Sequence, residues 1–362
     1  MSEFEGRKIP VGIIGATGMV GQRFTTLLEN HPWFEVTCVA ASPRSAGRPY
    51  AEAVHDRWVM PGSIPQGIAS LNVLSVEDAM KSIADQTGLL FSALDLPGDK
   101  IREIENGFAE LGIPIVSNNS AHRWTQDVPM IIPEINPKHL DLIGVQQRNH
   151  GWNRGFVVVK PNCSIQSYVP LLTPLLEFEP TKLFVVTEQA VSGAGRTLND
   201  WPEIRKNVIP FIGGEEEKSE KEPLKIWGKA EDGVIKLAEG PVISAVCTRV
   251  PVEDGHTASV AVSFAQRITG DEILARWQDF NPLRELNLPS SPQSLITFMK
   301  EEDRPQARLD CMIGNGMGIS AGRLAEDRIF DWRFIGLSHN TIRGAAGGGI
   351  LTAELLKVQG YI

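Results

Sequence analysis

Apolar positions in the first 160 residues fall into short unbroken runs joined by stretches of helical spacing. Residues 9–14, IPVGII, end at Gly15, and Val20, Phe24, Leu27 and Leu28 then recur at helical spacing. That order predicts a strand, a tight turn and a helix. The runs at 36–41, 89–93, 113–116 and 157–159 are continuous, as in strands buried on both faces, and 99–111 carries the spacing of an amphipathic helix. Strands alternating with helices predict an α/β unit built on a doubly wound parallel sheet.

Beyond Pro161 the pattern changes. Longer segments at 182–187, 242–250 and 257–264, rich in Val and Thr, read as antiparallel strands. They predict a second, α+β unit, a mixed sheet with helices on one face that offers a surface for pairing with another subunit. Residues 342–361 return to helical spacing through Ile350, Leu351, Leu355 and Leu356. Gly344, Gly347, Gly348 and Gly349 are poor helix formers, expected there where the segment packs closely on another backbone. The division expected is 1–160 with 336–362 for the first unit and 161–335 for the second.

Composition narrows the function. A chain of 362 residues exceeds the roughly 250–300 that one core supports, and 42% apolar with 22% charged residues is the make-up of a folded soluble protein. A net charge of −9 without a basic block gives nucleic acid no counterpart. No apolar run reaches the ~18 residues a bilayer span needs. The opening MSEFEGRKIP has acidic residues and no apolar core, so a secretory signal is not expected and a cytoplasmic location is. Cys38, Cys163, Cys247 and Cys311 show no CxxC or metal-ligand spacing, which suits reduced thiols, no metal, and a nucleophilic role for one of them.

Two places carry chemistry. Gly15-Ala16-Thr17-Gly18-Met19-Val20-Gly21 sits between the first strand and first helix, where backbone N–H groups can receive a pyrophosphate. The spacing is GxxGxxG and not the commoner GxGxxG, so a merely tight strand–helix turn is the competing reading. The second strand leads into Ser42-Pro43-Arg44-Ser45. An acid there would hold the ribose hydroxyls of NAD; two hydroxyls and a guanidinium suit the 2′-phosphate of NADP. Against this stands Arg44 as an ordinary exposed loop cation. Cys163, in Lys160-Pro161-Asn162-Cys163-Ser164, follows a strand and precedes an apolar stretch that starts as a helix. A helix N-terminus stabilises a thiolate and makes the thiol reactive. Pro170 either bends that helix or marks its start.

GATGMVGQRF, ASPRSAG, SNNSAHR, PNCS, TEQAVSGAGR, GGEEEK, RVPVEDGH and HNTIRGAAGGGI, in that order along nearly the whole chain, resemble the aspartate-semialdehyde dehydrogenase family, its archaeal and fungal branch above all. The resemblance implies a Rossmann-type NADP-binding domain, a catalytic and dimerisation domain, a homodimer or homotetramer, and reductive dephosphorylation of β-aspartyl phosphate to aspartate semialdehyde in lysine, threonine and methionine biosynthesis. It implies that Cys163 is the nucleophile, that Asn162 fixes its loop and contributes to an oxyanion site, that Gln189 orients the acyl group, and that His256 is the acid/base. Arg249 would bind the substrate carboxylate, Arg123 and Lys218 its phosphate, and Glu215 its amino group. Ser192, Gly193, Asn340 and Gly347 would lie by the cofactor. Read on its residues alone, the 215–222 run is a solvated helix face with i,i+3 and i,i+4 ion pairs. A malonyl-CoA reductase of the same fold and a non-catalytic NADP-binding sensor are the alternative functions.

Overall fold

A computed structural model describes residues 6–362; residues 1–5, the acidic opening of the chain, lie outside the described residues. The first sheet holds β1 (Ile9–Ile14), β2 (Phe34–Ala41), β3 (Val73–Ser75), β4 (Leu89–Ser92), β5 (Pro114–Ser117) and β6 (Phe156–Val159). Their order is β3-β2-β1-β4-β5-β6, with all neighbours parallel. This is the Rossmann order, with its switch point between β1 and β4. Helix α1 (Met19–Leu27) follows the glycine turn and α2 (Gly98–Glu110) follows β4. Continuous apolar runs become these strands because both faces are covered: β4, β5 and β6 have no exposed residue.

The second sheet holds β7 (Pro180–Gln189), β10 (Val242–Arg249), β11 (His256–Phe264), β12 (Ile296–Met299), β13 (Ile319–Glu326) and β14 (Trp332–Ser338), with β8 (Lys229–Glu231) and β9 (Val234–Lys236) making a separate hairpin. The order is β10-β7-β11-β14-β13-β12. The mixed sheet is as expected, but β7 and β10, read as antiparallel, run parallel. Helix α3 (Glu215–Ile226) lies between them in the chain, the crossover that parallel neighbours require. β11 pairs antiparallel with both β7 and β14.

β14 stays paired to Ser338, opposite His256, so the chain leaves the second sheet after the expected boundary at 335. It continues as a π-helical turn, Ile342–Ala346, and then α4 (Gly347–Val358). Ile350, Leu351, Leu355 and Leu356 of α4 join Ile9, Val11 and Phe24 in one buried cluster. The C-terminus thus completes the core of the first unit. The ends of β6, β7 and β10 and the start of β11 deliver Cys163, Gln189, Arg249 and His256 to one region.

Candidate active site

The turn after β1 and the loop after β4 flank the switch point, where open α/β sheets bind ligands. Gly15 has φ +79°, and a Cβ there would lie 2.2 Å from the carbonyl oxygen of Ala93; only glycine lets the turn pass this close to the end of β4. Gly21 is buried in the first turn of α1, against the backbone of Gly15 and Ala16. A cavity of about 440 Å³ opens here, walled by Gly15, Thr17, Gly18, Met19, Ser42 and Arg57 among others. It meets a second cavity at Leu94, Asp95 and Leu96, which line both, and Val20 lines the second. The glycine cradle therefore fits a dinucleotide whose far end reaches the thiol.

The basic residue at this cleft differs from the one expected. Arg44 lies exposed on a turn and is absent from the wall, and Ser45 is buried behind it. The wall cation is Arg57, whose guanidinium donates to Ser45 Oγ (2.9 Å) and to the carbonyl of Ala53 (3.0 Å). Arg57 had no motif to announce it, because it follows a short helix in the irregular stretch between β2 and β3.

The second cavity, about 350 Å³, is lined by Arg123, Asn162, Cys163, Gln189, Glu215, Lys218 and Arg249 together with Ser192, Gly193 and Asn340. His256 stands just behind, fully buried, with Nε2 3.3 Å from Cys163 Sγ. The Ala190 backbone N–H donates to His256 Nδ1 at 3.0 Å. A backbone N–H can only donate, so the proton of the neutral ring is on Nε2, facing sulfur. The carbonyl of Ala190 accepts from Arg249 at 2.7 Å, so the backbone of one residue aligns both side chains. Burial, reinforced by Arg249, pushes the imidazole down to about 3.

Cys163 is not a resting thiolate. Burial, reinforced by Glu215, pushes the thiol up to about 11. The expected helix dipole is slight, because Cys163 precedes a single 3₁₀ turn, Ser164–Ser167, and the α-helical turn begins only at Val169, with Pro170 in its first positions. Desolvation therefore outweighs it. Gly344, in the π-helical turn, backs the nucleophile: a Cβ there would come within 2.6 Å of Cys163 Cβ. Gly347, expected by the cofactor, instead faces Met317 and Ile342 at a different cavity, while Thr341 and Gly344 line the thiol cavity.

Glu215 organises its neighbours. Its carboxylate accepts from Lys218 (2.8 Å), from the Asn162 amide (2.9 Å to each oxygen) and from the Gln189 amide (3.1 Å). Burial opposes its ionisation, but these donors outweigh it and hold Glu215 below the usual carboxylate range. Asn162 Oδ1 accepts from the backbone and hydroxyl of Ser164 at 2.8 and 2.6 Å, so the carboxamide is tied at both ends. Asn340 bridges the loop ahead of His256, accepting from the Gly255 N–H (2.9 Å) and donating to Ser192 Oγ (2.8 Å). Asn118, a few residues before Arg123 in the same motif and marked by no signal of its own in the sequence, also lines the cavity, with both amide atoms buried and unpaired.

A Rossmann sheet opening onto a cysteine–histidine pair among buried cations defines the class of a nicotinamide-nucleotide-dependent dehydrogenase. Residues 10–143 match the semialdehyde dehydrogenase NAD binding domain and residues 172–343 the semialdehyde dehydrogenase dimerisation domain. Aspartate-semialdehyde dehydrogenase of Archaeoglobus fulgidus is 45% identical over 346 residues, 96% of this chain and 97% of that protein. The Saccharomyces cerevisiae enzyme of that name is 40% identical over 371 residues, covering 99% and 100%. The crystal structure of the Candida albicans enzyme with NADP superposes with a TM-score of 0.87 at 36% identity, covering 98% of this chain and all of that one. The chain belongs to the aspartate-semialdehyde dehydrogenase family.

Proposed function

We propose that the protein interconverts β-aspartyl phosphate and L-aspartate 4-semialdehyde, NADP-dependently and reversibly, through a thioester on Cys163, as a step in lysine, threonine and methionine biosynthesis. The observation that carries the mechanism is the 3.3 Å approach of Sγ to His256 Nε2 beside a cavity walled by Arg123, Lys218, Arg249 and the engaged carboxylate of Glu215. A substrate bearing a carboxylate, a phosphate and an ammonium matches Arg249, the Arg123–Lys218 pair and Glu215.

Sulfur adds to the acyl carbon, the carbon–oxygen bond to phosphate breaks, and phosphate leaves with the bonding pair and takes up the thiol proton, departing as hydrogen phosphate. When bound, the nicotinamide supplies hydride in this direction and accepts it in the other. Gly15, Thr17, Gly18 and Met19 would hold the pyrophosphate end, with Ser42 and Arg57 toward the 2′-phosphate. His256 presents Nε2–H to the oxygen of each tetrahedral adduct, as a hydrogen-bond donor. Taking the proton of the thiohemiacetal hydroxyl, as collapse to the aldehyde needs, requires the ring to release the Ala190 N–H. Collapse restores the cysteine.

A malonyl-CoA substrate lacks the ammonium and leaves Glu215 without a substrate partner, and a non-catalytic sensor has no use for the Cys163–His256 pair. Subunits are proposed to pair as a homodimer, with a homotetramer as the larger option, through the face of the second sheet where Phe184, Val242 and Val246 are exposed. Among the described residues no helix is long and apolar enough to cross a membrane; with four free cysteines, a reducing cytoplasm is the proposed location. The test is purified protein with NADP, phosphate and aspartate semialdehyde, followed by absorbance of the reduced nicotinamide. Cys163→Ser should abolish turnover and keep NADP binding; substantial residual turnover refutes the thioester.

A further inference from the structure

Glu215, Lys218, Glu222 and Lys225 fall at intervals of three, four and three along α3, which stacks them on one helix face. The sequence repeats E-x-x-K after seven residues, once at the cavity wall and once beneath it. Glu215 and Lys218 line the cavity, whereas Glu222 is fully buried and does not.

Glu222 holds two site elements at once. Its Oε1 accepts from Arg123 Nη1 at 2.9 Å and its Oε2 from the Asn162 backbone N–H at 2.6 Å. Arg123 Nε donates to the carbonyl of Lys160 at 2.9 Å, so the guanidinium also grips the strand that leads to the nucleophile. Lys225 holds the other end of the same residue, donating to the Arg123 carbonyl at 2.5 Å and to that of Val128 at 3.3 Å. Buried donors of this kind are costly to leave unpaired. Two acceptor atoms are needed here; a glutamine would set its NH2 against either the guanidinium or the peptide N–H.

We propose that Glu222, supported by Lys225, is a positioning residue that fixes the Arg123 guanidinium relative to the Cys163 thiol, and so sets the distance between the phosphate-binding cation and the nucleophile. This rests on the reading of Arg123 as a phosphate ligand. Glu222 touches neither substrate nor reacting atoms and acts through its two partners.

The test is a cycle on the intact enzyme. Glu222→Gln should raise KM for phosphate about tenfold or more, the scale of one charge-assisted contact, with NADP affinity within about twofold of wild type. In an Arg123→Ala background the same change should add less than about twofold. A wild-type phosphate KM in Glu222→Gln, or equal factors in both backgrounds, overturns the proposal. A second readout needs no turnover: alkylation of Cys163 by anionic iodoacetate relative to neutral iodoacetamide. A positioned cation favours the anion, so Glu222→Gln and Arg123→Ala should each lower that ratio about threefold or more. An unchanged ratio overturns the positioning role whatever the enzyme catalyses, whereas a wild type that makes no phosphate-dependent NADPH overturns the functional reading and leaves the alkylation ratio to decide. If Glu222→Gln does not fold, Lys225→Met, which frees the Arg123 carbonyl, replaces it with the same expected directions and the same refuting results.

Discussion

Arg57, and not Arg44, is expected to select NADP over NAD. The Arg57 guanidinium is held by Ala53 and Ser45, while the Gln22 side chain donates to the Arg57 carbonyl at 2.9 Å. A guanidinium has five N–H groups, and two are spent on these anchors, leaving others for a phosphate in the adjoining cavity. Because the side chain is already fixed, little rotamer entropy is lost on binding. One charge-assisted contact to phosphate is worth about 1.5–3 kcal/mol, or roughly one to two decades of affinity. Arg57→Ala should therefore weaken NADP by about ten- to a hundredfold and NAD by less than about threefold. Arg44→Ala, on an exposed turn, should change either by less than about threefold. Calorimetric titration of both nucleotides into the two variants and the wild type measures this. Equal loss for NADP and NAD in Arg57→Ala would mean the residue merely braces the cleft, and a larger discrimination loss in Arg44→Ala would reverse the assignment.

Three further outcomes follow from the site. Iodoacetamide labelling of Cys163 in the free enzyme should keep accelerating past pH 9, because desolvation, reinforced by Glu215, holds the thiol near 11; a plateau below pH 8 would show a preformed thiolate. Burial depresses His256 to about 3, and His122 and His339 to about 4, so the unfolded chain takes up protons that the native one refuses below about pH 6.5. Stability should then fall as pH drops from 6.5 toward 4, by up to about 1.4 kcal/mol per pH unit for each histidine; urea midpoints at pH 7 and 5 that coincide would refute it. Glu215→Gln should lower kcat/KM for aspartate semialdehyde and, less steeply, for succinate semialdehyde, since it disturbs Lys218, Gln189 and Asn162 as well as an ammonium partner. Equal losses for the two aldehydes would confine Glu215 to organising its neighbours.

Much of this architecture is legible in the chain because burial on two faces writes unbroken apolar runs. β1, β4, β5 and β6 follow from such runs, and Gly15 from its place between β1 and α1. Pairing direction is not written locally: β7 and β10 have the same composition whichever way they run, and the intervening helix decides it. Three-residue β3 is too short to leave a period. Arg57 has no periodic context, and its role emerges only when the chain folds back across Ser45. The helix-terminus stabilisation expected of the Cys163 thiolate is absent for a different reason. Apolar spacing predicts a helix directly after it, whereas the α-helical turn starts at Val169 with Pro170 in its first positions, and desolvation sets the thiol's ionisation.

Helix α3 shows why a charged run can be misread. Glu217 and Lys221 form the exposed i,i+4 pair that a solvated face predicts, 2.8 Å apart. Glu216 and Glu220 instead accept the Cys247 and Ala245 N–H groups of β10, an edge strand of the second sheet, where open donors would otherwise invite another chain. Glu215, Lys218, Glu222 and Lys225 turn inward. A stripe of buried charges is a poor way to stabilise a helix, since well-packed apolar residues of similar volume often do as well or better. Glu215, Glu222 and Lys225 are satisfied by partners in the site, namely Asn162 and Gln189, Arg123, and the backbone of Arg123, while Lys218, partly exposed, pairs with Glu215. Stability alone therefore does not account for the 3-4-3 spacing of acids and lysines, and the positions of Arg123 and Cys163 do.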